Sequence, residues 1–196
     1  LILKRLFRTL HRKAAPILFL PLLATTLTGV GYRLGNSWFD IPERLADRLM
    51  AIHEGKIFGE SLVPVYVLLM GVGLLGLVVT GLGLIRRVTT LPGQAKPGTT
   101  WRVWHQILAP LCFLPIALTA ITGVIYRVGK NWLGLSDNKA RIMMKLHEGA
   151  YFGQQLRPFY VLYAGIGLLA LLITGMQMVK LRRQPTRPAI ESVDKA

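Results

Sequence analysis

Residues 62–85 read LVPVYVLLMGVGLLGLVVTGLGLI, a stretch without one charged side chain. A helix crosses about 30 Å of hydrocarbon with roughly 20 apolar residues at about 1.5 Å each. Barrel strands would be half as long and would alternate in polarity. Three more runs share this character: Ala14 to Tyr32, Ile107 to Tyr126 and Phe159 to Val179. With 52% hydrophobic residues and a mean hydropathy of +0.45, the expected class is an all-α membrane protein with four transmembrane helices. The first run follows basic residues, but no small-residue cleavage site succeeds it, so it is read as a retained helix rather than a leader.

A net charge of +15 points to nucleic acid only if the charge forms a binding patch, and here its distribution follows the spans. Lys4, Arg5, Arg8, Arg12 and Lys13 precede the first run. Arg86, Arg87, Lys96 and Arg102 lie between the second and third, and Lys180, Arg182, Arg183 and Arg187 follow the fourth. Four spans put all three segments on one face, which the positive-inside rule makes cytoplasmic, together with both termini. The first outer loop is near neutral, whereas the second weakens the bias with Arg127, Lys130, Lys139, Arg141, Lys145 and Arg157. The expected surroundings are a lipid bilayer, with no nucleic acid.

Sliding residues 8–81 onto 102–175, an offset of 94, matches 34 of 74 positions without a gap. The matches include Ala15-Pro16, Phe19-Leu20-Pro21, Thr28-Gly29-Val30, Tyr32-Arg33, Trp38, His53-Glu54-Gly55, Phe58-Gly59, Pro64, Tyr66 and Thr80-Gly81 with their later counterparts. The spans therefore read as a tandem two-helix repeat: 1–87, then a Pro- and Gly-rich linker over 88–101, a second copy over 102–183 and a polar tail over 184–196. Amphipathic segments from about Glu43 and Asp137 occupy the outer loops.

Every histidine belongs to this offset: His11 with His105, and His53 with His147. Equivalent helices place each pair at one depth, the first at the cytoplasmic ends of spans one and three, the second on the opposite side. Two imidazoles at one depth suit the two axial positions of a flat macrocycle, because imidazole is a good iron ligand and each face takes one. All four histidines are thus candidate metal ligands, for two haems of b type, with chlorophyll the alternative. An isolated interfacial His is more often structural, but four with none unpaired favour ligation. Tyr32, Arg33, Tyr126 and Arg127 stand at the outer interface, where Arg pairs with propionates and Tyr donates a hydrogen bond. Arg8, Arg12 and Arg102 would serve the inner pair in the same way, Trp38, Trp132, Phe58 and Phe152 would pack on the outer ring, and Glu54 and Glu148 would orient the neighbouring His. The glycines after Thr, at 29, 81, 123 and 175, offer bare helix surface. Pro16, Pro21, Pro110 and Pro115 are expected to bend their helices.

Other motifs fail. His53-Glu54 lacks a second His four residues on, where Ile57 stands, so no zinc protease motif exists. Gly71-Val72-Gly73 and Gly165-Ile166-Gly167 interrupt membrane spans and suit close helix packing instead of nucleotide binding. Cys112, the only cysteine, reads as packing.

The order of basic residue, aromatic and His before a span, Thr-Gly and Tyr-Arg at its end, and His-Glu-Gly before the next resembles the PepSY-associated transmembrane family over nearly all of residues 8–180. That resemblance implies a haem-containing unit of the bacterial inner membrane, related to ferric-siderophore reductases, with His11, His53, His105 and His147 matching the ligand positions. The chain departs from the family's common form in lacking the soluble PepSY domain, since outer loops of about 30 residues are too short for one. No flavin or nicotinamide motif is present, so an oxidoreductase activity would require partner proteins. The expected function is a di-haem b-type cytochrome relaying electrons across the bilayer. The alternative is a non-catalytic accessory or assembly subunit of a larger membrane complex, such as a photosynthetic one in a thylakoid, with structural haem or chlorophyll. His105 to Arg127 spans about 33 Å of straight helix, so the relay requires the outer histidines to dip inward. Gly59 with Pro64, and Gly153 with Pro158, are the expected breaks.

Overall fold

The computed structural model describes residues 2–85, 92–95 and 99–183, with side chains to 179. Most of the linker, the tail, and the basic side chains of Arg86, Arg87, Lys96, Lys180, Arg182, Arg183 and Arg187 lie outside the described residues. The described residues form no strand, and their α-helices are α1 (Ile2–Leu34), α2 (Glu43–His53), α3 (Val63–Leu82), α4 (Thr100–Trp132), α5 (Asp137–His147) and α6 (Arg157–Arg183). Four stretches, Ile2–Phe39, Glu60–Leu82, Thr100–Trp132 and Arg157–Val179, are long and apolar enough to cross a membrane.

α1 begins a dozen residues before its apolar run because Leu, Lys and Arg are themselves good helix formers. α1 passes Pro16 and Pro21, and α4 passes Pro110 and Pro115, without a break. Pro115 offers no N–H to the Leu111 carbonyl, which accepts instead from the Tyr163 hydroxyl at 2.8 Å.

α1 packs on α3 and α6, and α4 packs on the same two, so α1 faces α4 across one diagonal of a four-helix bundle. Bare glycines allow the approach, since a Cβ at Gly71 would run into Val124 and one at Gly165 into Val30. Leu22 and Ile116 are each 3% exposed inside, while Ile17 at 75% and Leu114 at 65% face outward. An exterior as apolar as the interior suits hydrocarbon as solvent. α2 lies against α1, and α5 against α4, at the end of the bundle opposite the N-terminus, called here the loop end.

Candidate functional site

One stripe of α1 lines the bundle interior: His11, Ala15, Phe19, Leu22, Thr26, Gly29 and Arg33, at spacings of three and four. In α4, His105, Ala109, Phe113, Ile116, Ala120, Gly123 and Arg127 do the same. The stripes face each other across two cavities, one containing His11 and His105, the other His53 and His147. Leu74, Ile116 and Leu168 line both, so one layer of aliphatic side chains divides them.

His53 and His147 reach the interior because their helices stop abruptly. α2 ends at His53, Gly55 follows at φ 73°, and Gly59 at φ 112° turns the chain again before α3. Gly149 and Gly153 do the same after α5, at φ 69° and 94°. At Gly55 a side chain is excluded twice, by the left-handed backbone and by the Tyr66 ring, into which a Cβ would run. The chain breaks at Gly59 and Gly153, as expected, but Pro64 and Pro158 stand in the first turns of α3 and α6, and the turns at Gly55 and Gly149 come in addition.

The His11 and His105 rings stand with centroids 6.3 Å apart and planes at 78°. His53 and His147 have the same values, 6.3 Å and 78°. Hydrogen bonds set the tautomers. Nδ1 of His53 lies 2.8 Å from the Thr25 carbonyl, and Nδ1 of His147 lies 2.9 Å from that of Thr119. A carbonyl only accepts, so Nδ1 carries the proton and Nε2 keeps its lone pair. His11 Nδ1 meets the Thr80 hydroxyl at 3.0 Å, and His105 Nδ1 that of Thr174 at 2.8 Å. Each hydroxyl already donates to a backbone carbonyl, of Gly76 and Ala170, so here too Nδ1 donates. All four rings share one tautomer, which leaves Nε2 able to bind a metal. Burial pushes His53 and His147 below the ordinary imidazole value, and the facing ring adds to this at His147, which falls to about 4. Both are neutral, and so able to ligate, at physiological pH.

Tyr32, Arg33, Tyr126 and Arg127 line the cavity of His53 and His147. Each Arg, however, pairs with a glutamate from the other half of the chain: Arg33 with Glu148 at 2.9 Å, and Arg127 with Glu54. Glu54 and Glu148 thus hold arginines, and threonines orient the histidines. The bare surface of the Thr-Gly steps receives an imidazole: a Cβ at Gly29 would meet His53 Cε1 at 2.7 Å, and one at Gly123 His147 Cε1 at 3.0 Å. Arg8, Arg12 and Arg102 are exposed and lie outside the lining of the His11 cavity. Trp38 stacks on Phe159, and Phe58 and Phe152 rest on Tyr66 and Tyr160, so these aromatics sit outside the lining too. The two tyrosines do line it, with Tyr66 Oη 2.9 Å from the Thr25 hydroxyl. Thr25, Thr119, Tyr66 and Tyr160 are site residues that the sequence reading passed over, although each recurs at the 94-residue offset.

Among the described residues, no three His, Cys, Asp or Glu side chains converge on one point, so a bare ion would find only a pair of ligands. Two imidazoles bonded at roughly 2.0–2.1 Å on opposite sides of one metal have centroids about 6.3 Å apart, the spacing seen here twice. A macrocycle supplying its own four nitrogens fits this donor set. No family model, curated protein or solved structure matches the chain.

Proposed function

We propose that this chain is a four-span membrane cytochrome, built from a tandem two-helix repeat, that binds two haems of b type and carries electrons across the bilayer. The observation that carries this reading is the pair of facing imidazoles at 6.3 Å, present in each of two adjoining cavities. A pair of facing imidazoles favours haem iron, which takes a ligand on each face, over chlorophyll magnesium, which takes one. Bound there, the group supplies a one-electron iron couple.

The chain's own residues do the rest. His11 and His105 hold the site near the N-terminal end, His53 and His147 the one at the loop end, and the threonines fix every ring in its ligating tautomer. The inward turn of α2 and α5 supports a relay by shortening the path between the two pairs. The His53 ring sits beside Thr25 and Gly29, 14 to 18 positions along α1 from His11, or about 21–27 Å before the width of a macrocycle is subtracted. Leu74, Ile116 and Leu168 keep water out of the gap. Arg33 and Arg127 have donors beyond those engaged by glutamate, and these suit the carboxylates of a macrocycle. The basic N-terminal segment and the basic linker make the N-terminal end cytoplasmic by the positive-inside rule, in a bacterial inner membrane. Partner proteins supply and remove the electrons, and reduction of a ferric complex is the activity that the family resemblance suggests.

A dithionite-reduced spectrum of the purified protein, with quantified pigment, tests the proposal. Two haems b per chain are expected, and one after His53→Ala. In vesicles, an impermeant oxidant outside should reoxidise both centres in the unaltered chain but only slowly in that variant. Chlorophyll bands, or a colourless protein, would overturn the reading in favour of an accessory subunit.

A further inference from the structure

The loop end is electrically lopsided in a way the cofactor cavities do not explain. A third cavity, of about 530 Å³, opens there beside α5 and is lined by Lys130, Arg141, Lys145 and Arg157. Its acidic groups are already engaged: Asp137 binds Lys130 at 2.6 Å, and Glu148 is shared by Arg33 and Arg157. Arg141 and Lys145 form no salt bridge among the described residues, although the Arg141 charge, after the Lys130 hydrogen bond and charge, helps to hold the Asp137 carboxyl below its ordinary value, and the buried Nε of Arg157 has no hydrogen-bond partner.

The offset of 94 supplies an internal control. Where the second half has Lys130, Arg141, Lys145 and Arg157, the first has Asn36, Asp47, Ala51 and Val63. Yet both halves keep the Tyr, Arg, His and Glu of the cavity between His53 and His147. The four cations are therefore surplus to cofactor binding, and they stand on the face where the positive-inside rule disfavours them. Their cavity shares Tyr126, Met144 and Glu148 with the cofactor cavity, so its contents lie one side chain away.

We propose that the α5 cavity is a binding site for a small, multiply charged anion, held by Arg141, Lys145 and Arg157 next to the outer cofactor. Its volume suits a small molecule, and fixed cations around a concave site concentrate anions there. The proposal rests on the cytochrome reading for the meaning of the site, while the binding can be measured by itself.

The test is calorimetric titration of the full chain, in phosphatidylcholine nanodiscs, with hexacyanocobaltate(III), a trianion that takes no part in redox chemistry. One site per chain is expected, weakening as salt is raised. Arg141→Asp and Lys145→Asp should each weaken it at least about tenfold, Arg141→Gln less, and Asp47→Ala not at all, all with unchanged haem content. Equal affinity in the charge-reversed variants would overturn the proposal. So would haem loss in them, which would assign the cations to the cofactor, or loss of binding in phosphatidylglycerol discs with that lipid retained, which would make the site a headgroup site. A colourless wild-type protein that still titrates would sink the cytochrome reading and leave the anion site standing, because calorimetry needs no chromophore.

Discussion

The ring of His53 occupies the space that a side chain on Gly29 would fill, since an added Cβ would meet its Cε1 at 2.7 Å and its Nδ1 at 2.8 Å. The ring cannot swing aside without losing its bond to the Thr25 carbonyl. On the proposed reading, Gly29→Ala should therefore cost the outer site most of its haem and spare the inner one. At Gly175 the corresponding distance to His105 is 3.6 Å, ordinary van der Waals contact, so Gly175→Ala should keep both. Haem per chain in the two variants checks the contrast, and equal losses would contradict it.

For the two haems proposed, the 78° between facing planes would have an electronic consequence. Perpendicular imidazoles leave two iron d orbitals nearly degenerate, which makes a low-spin ferric centre strongly anisotropic. Electron paramagnetic resonance of the oxidised protein should show such signals from both centres. A spectrum of the more rhombic type given by parallel rings would count against these orientations.

Thr80→Val removes the acceptor of the His11 Nδ1–H bond. Loss of such a partner typically weakens a metal ligand about 10- to 100-fold and lowers its basicity. Weaker haem retention at the inner site and a higher midpoint potential there are expected, with the outer centre unmoved in a redox titration. The outer histidines donate to backbone carbonyls, which no side-chain substitution at Thr25 deletes.

Acid should destabilise the cofactor-free protein before it protonates the folded state. His147 falls from 6.5 to about 4 on folding, so between those values the unfolded chain binds a proton that the folded one refuses. Stability is complete above about pH 6.5 and is lost as pH falls toward 4. The thermal midpoint in detergent should be lower at pH 5 than at pH 7, and His147→Gln should flatten the difference.

Glu148 pairs with Arg33 and Arg157, and its side chain is 15% exposed. Glu148→Gln leaves two guanidiniums without their carboxylate and should destabilise the protein by about 3 kcal/mol. The Lys56–Glu60 pair is 49% and 73% exposed, so Glu60→Gln should change stability far less. Denaturation in mixed micelles ranks the two.

Much of the architecture was legible because a bilayer imposes it locally. A helix that satisfies its own backbone and hides it behind apolar side chains can be recognised from composition alone, and so the four spans and the pairing of the histidines came from counting along the chain. The aromatics and arginines were harder. Trp38 and Phe58 carry the composition of a cofactor wall but pack on Phe159 and Tyr66, and Arg33 meets a glutamate more than a hundred residues away.

The sequence by itself determined which residues correspond at the offset of 94, and which segments are apolar enough to cross a membrane. Only the tertiary structure decided that α1 and α4 face one another along a diagonal, and that the turns at Gly55 and Gly149 fold His53 and His147 inward to the level of Thr25 and Thr119. It also decided that one aliphatic layer separates the two cavities. The physical reason is range. Burial of a span is a property of consecutive residues, whereas a 6.3 Å gap between imidazoles depends on the packing of separate helices and on two glycines in a left-handed conformation.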